Sequence, residues 1–185
     1  MKALILGASG MVGTAVIHQI LQDEKFDRVY SICRSVSPLT SSKLEQIVHK
    51  NYEDYSELSE VFSEADICFY CLGVYQGQVT KQEFWTITVN YLDGLISELV
   101  ETNKEITLCL FSAQGASPDE KSVFLFGNAK GRAEKRLTDS KIKYKYIFRP
   151  GFINPGRISA MSGITLKLYQ LLYRVFPAIG MVLTS

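Results

Sequence analysis

The chain has 185 residues, 46% of them hydrophobic and 21% charged, which suffices for one sizeable core and excludes a miniprotein held by disulfides. Twenty Lys and Arg against nineteen Asp and Glu leave a formal charge of +1, so no global field holds a nucleic-acid backbone or an anionic membrane, and neither is expected as a partner. No uncharged apolar run of about 18 residues occurs and the N-terminus enters an apolar strand-like run at once, so a cytoplasmic protein is expected.

Short β-branched or aromatic runs alternate with stretches of helical spacing, the pattern of an α/β protein with a parallel sheet. Strands are expected over Lys2 to Leu6, Arg28 to Cys33, Gln46 to Lys50, Asp66 to Leu72, Ile106 to Ser112 and Lys143 to Arg149. Helices are expected over Met11 to Leu21, Tyr55 to Phe62, Thr80 to Thr102 and Ala129 to Asp139. Several strands are continuously apolar, as central strands buried on both faces can be. One domain over residues 1–185 follows, with 151–185 as a small substrate-side extension. Ser162 to Phe176 carries a broad apolar helical face and reads as a core helix. Gly180 to Thr184 resembles the start of another strand, which suggests a natural chain that continues past Ser185.

The first strand runs into Gly7-Ala8-Ser9-Gly10-Met11-Val12-Gly13 and then a helix, the setting of a phosphate-cradling turn. Gly7 permits the sharp turn, Gly10 removes a Cβ where a pyrophosphate approaches, and Gly13 lets the helix pack on the sheet. Ser9, Met11 and Val12 complete the turn, whose backbone N–H groups meet the anion at the positive end of the helix. The spacing is G-x-x-G-x-x-G, one residue longer in its first gap than the dinucleotide fingerprint. A nicotinamide dinucleotide is the preferred ligand; a purely structural turn, a flavin or S-adenosylmethionine are the alternatives.

At the end of the second strand, where a 2′-hydroxyl partner would be acidic, stands Arg34. A guanidinium there suits a 2′-phosphate, so NADP(H) is favoured over NAD(H). A solvated arginine is the plainer reading, and Arg28 or Lys43 are open to the same misassignment.

The remaining chemistry-bearing residues are sparse. Cys33, Cys68, Cys71 and Cys109 sit in strand-like runs and read as small core hydrophobes; Cys68 and Cys71 match C-x-x-C, but residues i and i+3 of a strand point to opposite faces, so these two thiols share no metal or bridge. His18 and His49 read as surface or helix-face histidines without metal-ligand spacing, so no metal is expected. No G-x-S-x-G elbow is present. Lys130, Arg132, Lys135 and Arg136 form a solvated helix face, with Lys130 set apart by position. Phe84, Trp85 and Tyr91 on the helix after strand four read equally as a core stripe or as a homodimer face.

Together the Gly7 to Gly13 turn, Ser31-Ile32-Cys33-Arg34, Asn51-Tyr52, Cys71-Leu72-Gly73, Phe111-Ser112, Lys130-Gly131 and Phe148-Arg149-Pro150-Gly151 resemble the short-chain dehydrogenase/reductase superfamily in its atypical, NAD(P)H-binding branch, and are most similar to the oxidoreductase-like Tat-interacting proteins. The resemblance implies a Rossmann-type doubly wound sheet in three layers with strand order 3-2-1-4-5-6. It also implies that Asn51 and Tyr52 contact adenine, Leu72 and Gly73 pass the ribose, Lys130 binds the nicotinamide ribose, Pro150 and Gly151 border the nicotinamide, and Ser112 bonds an oxygen of a small substrate.

One residue departs from that pattern. The family's Tyr-x-x-x-Lys pair places a proton-donating phenol four residues before the lysine, and here that residue is Phe126, which has no proton to give. Tyr75, Tyr91, Tyr144, Tyr146 or a water on Ser112 are the loose substitutes. The expected function is an NADP(H)-binding oxidoreductase with Ser112 and Lys130 at its centre, the alternative an NADP(H)-binding regulator or redox sensor.

Overall fold

A computed structural model describes residues 1–151 and 153. The expected helix from Ser162, the strand start at Gly180 and nearly all of the 151–185 extension lie outside the described residues. Six strands, β1 (Lys2–Leu6), β2 (Arg28–Cys33), β3 (Leu44–Val48), β4 (Ile67–Tyr70), β5 (Thr107–Phe111) and β6 (Tyr144–Phe148), pair in parallel in the order β3-β2-β1-β4-β5-β6. This is the expected doubly wound order.

Helices cover both faces. On one, α1 (Met11–Gln22) packs Ile17 and Ile20 onto Ala3, Ile5 and Val29. On the other, α2 (Ser59–Ser63), α4 (Tyr91–Thr102) and α5 (Leu125–Asp139) bring Phe62, Leu92, Leu95, Leu99, Ala133 and Leu137 onto Leu4, Leu6, Ile32, Tyr70, Leu108 and Leu110. Successive strand residues point to opposite faces, which is why Ala3 and Ile5 meet one helical layer and Leu4 and Leu6 the other.

Three helices differ from their expected form. The stretch Thr80 to Thr102 is α3 (Lys81–Trp85), a π-helical turn (Thr86–Asn90) and α4. Thr80 starts it with a capping box, its Oγ1 accepting from Glu83 N–H at 3.2 Å while Glu83 Oε2 accepts from Thr80 N–H at 2.9 Å. Tyr55 to Phe62 divides into a 3₁₀ turn (Ser56–Leu58) and α2. The helix expected from Ala129 begins at Leu125, so Lys130 lies within α5 and does not open it, and Phe126 stands one turn before it on the same helix.

Phe84 is fully buried, half-buried Trp85 packs beside it, and Tyr91 stacks on Tyr52 at 5.4 Å. All three therefore serve the packing of this chain.

Candidate functional site

The strand order reverses direction at β1, whose neighbours are β2 and β4, and a doubly wound sheet opens its ligand crevice at the carboxyl ends there. The glycine turn lies at that point. Gly7 has φ +84°, and a Cβ on it would meet Cys71 C at 2.7 Å and Leu72 N at 2.8 Å, so the turn is pressed against the exit of β4. A Cβ on Gly13 would stand 2.0 Å from Gly7 O, so only glycine lets α1 begin this close to the sheet. Gly10 N–H donates to Gly7 O at 3.0 Å, and a Cβ there would meet nothing closer than Gly7 O at 3.3 Å.

Thr14 N–H is the first in α1 to reach a helical carbonyl, that of Gly10 at 2.8 Å. The N–H groups of Met11, Val12 and Gly13 therefore project from the helix end. No acidic residue stands in that first turn, and Ser9 and Gly10 are exposed beside it. Such a helix end can receive an anion on main-chain N–H groups.

Toward β2 the site is positive. Arg34 is exposed immediately after the strand, and its charge draws down the pKa of the Tyr52 phenol, which burial nevertheless pushes up to about 12. Arg34 and Tyr52 thus share one neighbourhood. Arg28 begins β2 at its opposite end, bound to Glu45 at 2.7 Å, and Lys43 precedes β3 and donates to Asp23 O at 3.0 Å. Neither reaches the carboxyl edge, where Arg34 follows β2 and exposed Lys50 follows β3.

Asn51 is exposed and Tyr52 buried on the loop after β3. His49 corrects an expectation: it is no surface residue but is 3% exposed, because the loop folds back over it. Its Nε2 lies 2.8 Å from Asn51 O and 2.9 Å from Asp54 O, and its Nδ1 faces Glu57 Oε1 at 3.8 Å. His18 is exposed on α1.

Leu72 packs on the core after β4, and Gly73 stands exposed beyond it, where a Cβ would meet nothing within 4 Å. Ser112 follows β5, its backbone fixed by donation to Phe148 O at 2.8 Å. Among the described residues its Oγ is buried without a hydrogen-bond partner, an unspent donor of the kind that a ligand oxygen satisfies. Gln114 N–H donates to Pro150 O at 3.0 Å, so the loops after β5 and β6, which carry Ser112 and Pro150-Gly151, are laced together.

Lys130 is half-buried on α5, and among the described residues its ammonium has no hydrogen-bond partner. Burial pulls its pKa below the ordinary lysine value and Glu134, one turn on, pulls it back up. The other three cations of that helix are spent: Arg132 pairs with Glu120 at 2.8 Å, Lys135 with Asp139 at 2.6 Å, and Arg136 with Asp93 at 3.3 Å. Lys130 alone of the four keeps its charge available to the site.

Two contacts have no counterpart in the sequence reading. Glu134, with a side chain only 3% exposed, grips Arg149 through both oxygens, Arg149 Nε donating to Oε1 at 2.8 Å and its other nitrogen to Oε2. This ties α5 to the Pro150 segment. Phe126 N–H donates to Gln76 Oε1 at 3.1 Å, and the Phe126 ring lies 6.4 Å from Phe84. The only available signal for Glu134 was its spacing of four residues from Lys130; the strand that brings Arg149 to it is remote in sequence. Of the substitute phenols, Tyr144 and Tyr146 lie exposed on the edge strand β6, Tyr91 stacks under Tyr52, and Tyr75 is half-exposed on the loop after β4.

The thiols offer no chemistry. Cys33, Cys68, Cys71 and Cys109 are free, and burial pushes all four up, Cys71 to about 12 and Cys109 to about 11. Among the described residues no three His, Cys, Asp or Glu gather as metal ligands. A groove of about 390 Å³ lies against α4, lined by Glu53, Asp54, Asp93, Glu98 and Glu101. No cation lines it, so its sign is wrong for a polyanion.

A dinucleotide fits these residues: a cation beyond β2, an open main-chain turn after β1, an open Gly73 after β4 and Ser112 after β5 follow the carboxyl edge in order. Among the described residues no helix is long and apolar enough to cross a membrane.

Comparison with known proteins agrees. The NAD(P)H-binding family matches residues 7–165. Protein HTATIP2 of Rattus norvegicus is 27% identical over 164 residues, 88% of this chain and 66% of that protein. Protein FMP52, mitochondrial, of Saccharomyces cerevisiae is 28% identical over 158 residues, 82% of this chain and 65% of that protein. The chain thus spans about two thirds of these relatives. Among solved structures, yeast methylglyoxal/isovaleraldehyde reductase Gre2 complexed with NADPH superposes with TM-score 0.65 at 15% identity, over 82% of this chain and 58% of that one. Bordetella bronchiseptica WbmG in complex with NAD does so with TM-score 0.71 at 16% identity, over 95% and 60%. The fold, the glycine turn and the family match converge: the chain belongs to the NAD(P)H-binding family.

Proposed function

We propose that the chain is an NADP(H)-dependent oxidoreductase acting on a small substrate. The observation that carries the reading is the main-chain cradle of Gly7 to Gly13, with the cation of Arg34 on its β2 side and the unpartnered Ser112 on its β5 side. In this reading Met11, Val12 and Gly13 N–H groups hold the pyrophosphate, Arg34 the 2′-phosphate, Asn51 and Tyr52 the adenine, and Lys130 the nicotinamide ribose. A bound nicotinamide supplies hydride transfer. Ser112 Oγ donates to a substrate oxygen, while Pro150 and Gly151 close the opposite wall. Phe126 contributes shape and no proton, so protonation of the product falls to water or to a phenol outside α5.

The preference for NADP(H) rests on charge. Arg34 is exposed without an ion pair among the described residues, and its guanidinium makes charge-assisted bonds to a phosphate that a ribose hydroxyl does not offer. A cytoplasmic site of action is part of this reading; fractionation that recovers the protein with mitochondria, as the FMP52 relatives are named, would replace it. A homodimer through the helical stretch after β4, Thr80 to Thr102, is also part of it, and a monomeric mass by light scattering would remove that element.

Calorimetric titration tests the core of the proposal. Wild-type protein binds NADPH more tightly than NADH, and Arg34→Ala weakens NADPH by about 1–3 kcal/mol while leaving NADH nearly unchanged. No heat with either nucleotide refutes the function; equal loss for both refutes the 2′-phosphate assignment. Phe126 favours one second reading, a nucleotide-binding regulator that senses NADPH without turnover. Consumption of NADPH with any of a panel of aldehydes, ketones and quinones, above the rate without protein, excludes it.

A further inference from the structure

His49 takes no part in the chemistry above, yet the loop expected to meet adenine is built on it. Its backbone N–H donates to Cys33 O at 2.9 Å, which ties the loop to the end of β2 beside Arg34. Nε2 stands 2.8 Å from Asn51 O and 2.9 Å from Asp54 O. Both are carbonyl acceptors, so Nε2 carries a hydrogen in the neutral ring as well as in the charged one. That single buried donor closes residues 49–54 into a compact turn, reinforced by Asp54 N–H donating to Asn51 O at 3.1 Å.

The ring also joins an aromatic stack. It lies 5.3 Å from Tyr55 at 26° and 5.7 Å from Tyr52, and Tyr52 stacks in turn on Tyr91 at 5.4 Å. Asn51 is left exposed at the tip of a turn whose two carbonyls face inward. A loop fixed in this way has little conformational freedom to lose when a planar ligand arrives, and affinity depends on that saving.

We propose that His49 is a positioning residue for the adenylate half of the dinucleotide, holding Asn51 and Tyr52 in place through the two carbonyls that its Nε2 hydrogen bridges. This rests on the cofactor reading above and adds to it a residue buried beneath the loop. Phenylalanine at this place keeps the stacking and removes the donor, leaving both carbonyls to find water; glutamine keeps an N–H group able to reach them.

The test titrates the full chain calorimetrically with NADPH and with adenosine 2′,5′-bisphosphate, which carries the adenylate half alone. His49→Phe weakens both about tenfold and by the same factor, as for the loss of one buried donor, and His49→Gln recovers most of it. Unchanged affinity in His49→Phe, or a loss for NADPH that the bisphosphate does not share, overturns the proposal. Should His49→Phe fail to fold by circular dichroism, His49→Met, which also lacks the donor, decides: an equal loss for NADPH and the bisphosphate relative to His49→Gln is expected, and affinity equal to wild type overturns the proposal. Wild-type protein that binds neither probe instead removes the cofactor reading, and this inference with it.

Discussion

The Glu134 and Arg149 pair is asymmetric, and the asymmetry predicts which partner the fold can spare. The Glu134 side chain is 3% exposed and that of Arg149 is 48% exposed. Arg149→Met leaves a charged carboxylate enclosed without its partner, which costs about 3–5 kcal/mol when nothing else compensates. Lys130, one turn away on α5 and already acting on Glu134, offsets part of this, so a loss of about 2–3 kcal/mol is expected. Glu134→Gln leaves a guanidinium that is half in water and keeps an amide oxygen to accept one of its bonds, so about 1 kcal/mol is expected. Urea denaturation with an unchanged m-value measures both. Glu134→Gln costing as much as Arg149→Met, or more, would refute the argument, because it would mean that the charge of Arg149 is the one the fold cannot leave alone.

Three further outcomes follow from particular contacts. Gly13→Ala sets a Cβ 2.0 Å from Gly7 O and is expected to cost about 1–3 kcal/mol through overpacking and to abolish nucleotide binding in calorimetry; normal affinity would place the pyrophosphate elsewhere. Burial lowers the pKa of Lys130, so the fold is penalised while this lysine is charged, below its folded pKa, and the penalty fades as pH rises from that value toward 10.5. Lys130→Met is therefore expected to raise Tm at pH 7, with an advantage that shrinks in alkali, while weakening NADPH; a lower Tm at pH 7 would contradict the burial argument. Phe126→Tyr restores a phenol one turn before Lys130 and is expected to raise carbonyl reduction about 10²–10⁴-fold in an NADPH-consumption assay; no gain would mean that the missing proton is not what limits turnover.

The sequence by itself determined the sheet and its glycine turn. Apolar runs such as Ala3 to Leu6 and Ile67 to Leu72 have few stable fates other than a strand buried on both faces, and a glycine required by a backbone contact of 2.0 Å or a φ of +84° leaves a mark at fixed spacing. Element ends were less legible: α5 begins at Leu125 and not Ala129, because Leu125 and Phe126 extend a helix whose start no capping side chain marks, and the π turn at Thr86–Asn90 carries no local signal that separates it from an ordinary amphipathic helix. Only the tertiary structure decided which polar groups are spent. His49 looked like a strand-end surface residue until the loop closed over it, Arg132, Lys135 and Arg136 shared one solvated face with Lys130 until those three found carboxylates, and Glu134 gained its partner from a segment that follows it in the chain. Pairing and burial of charge depend on contacts between elements remote in sequence, whereas the strand pattern and the glycine spacing are local properties of the chain.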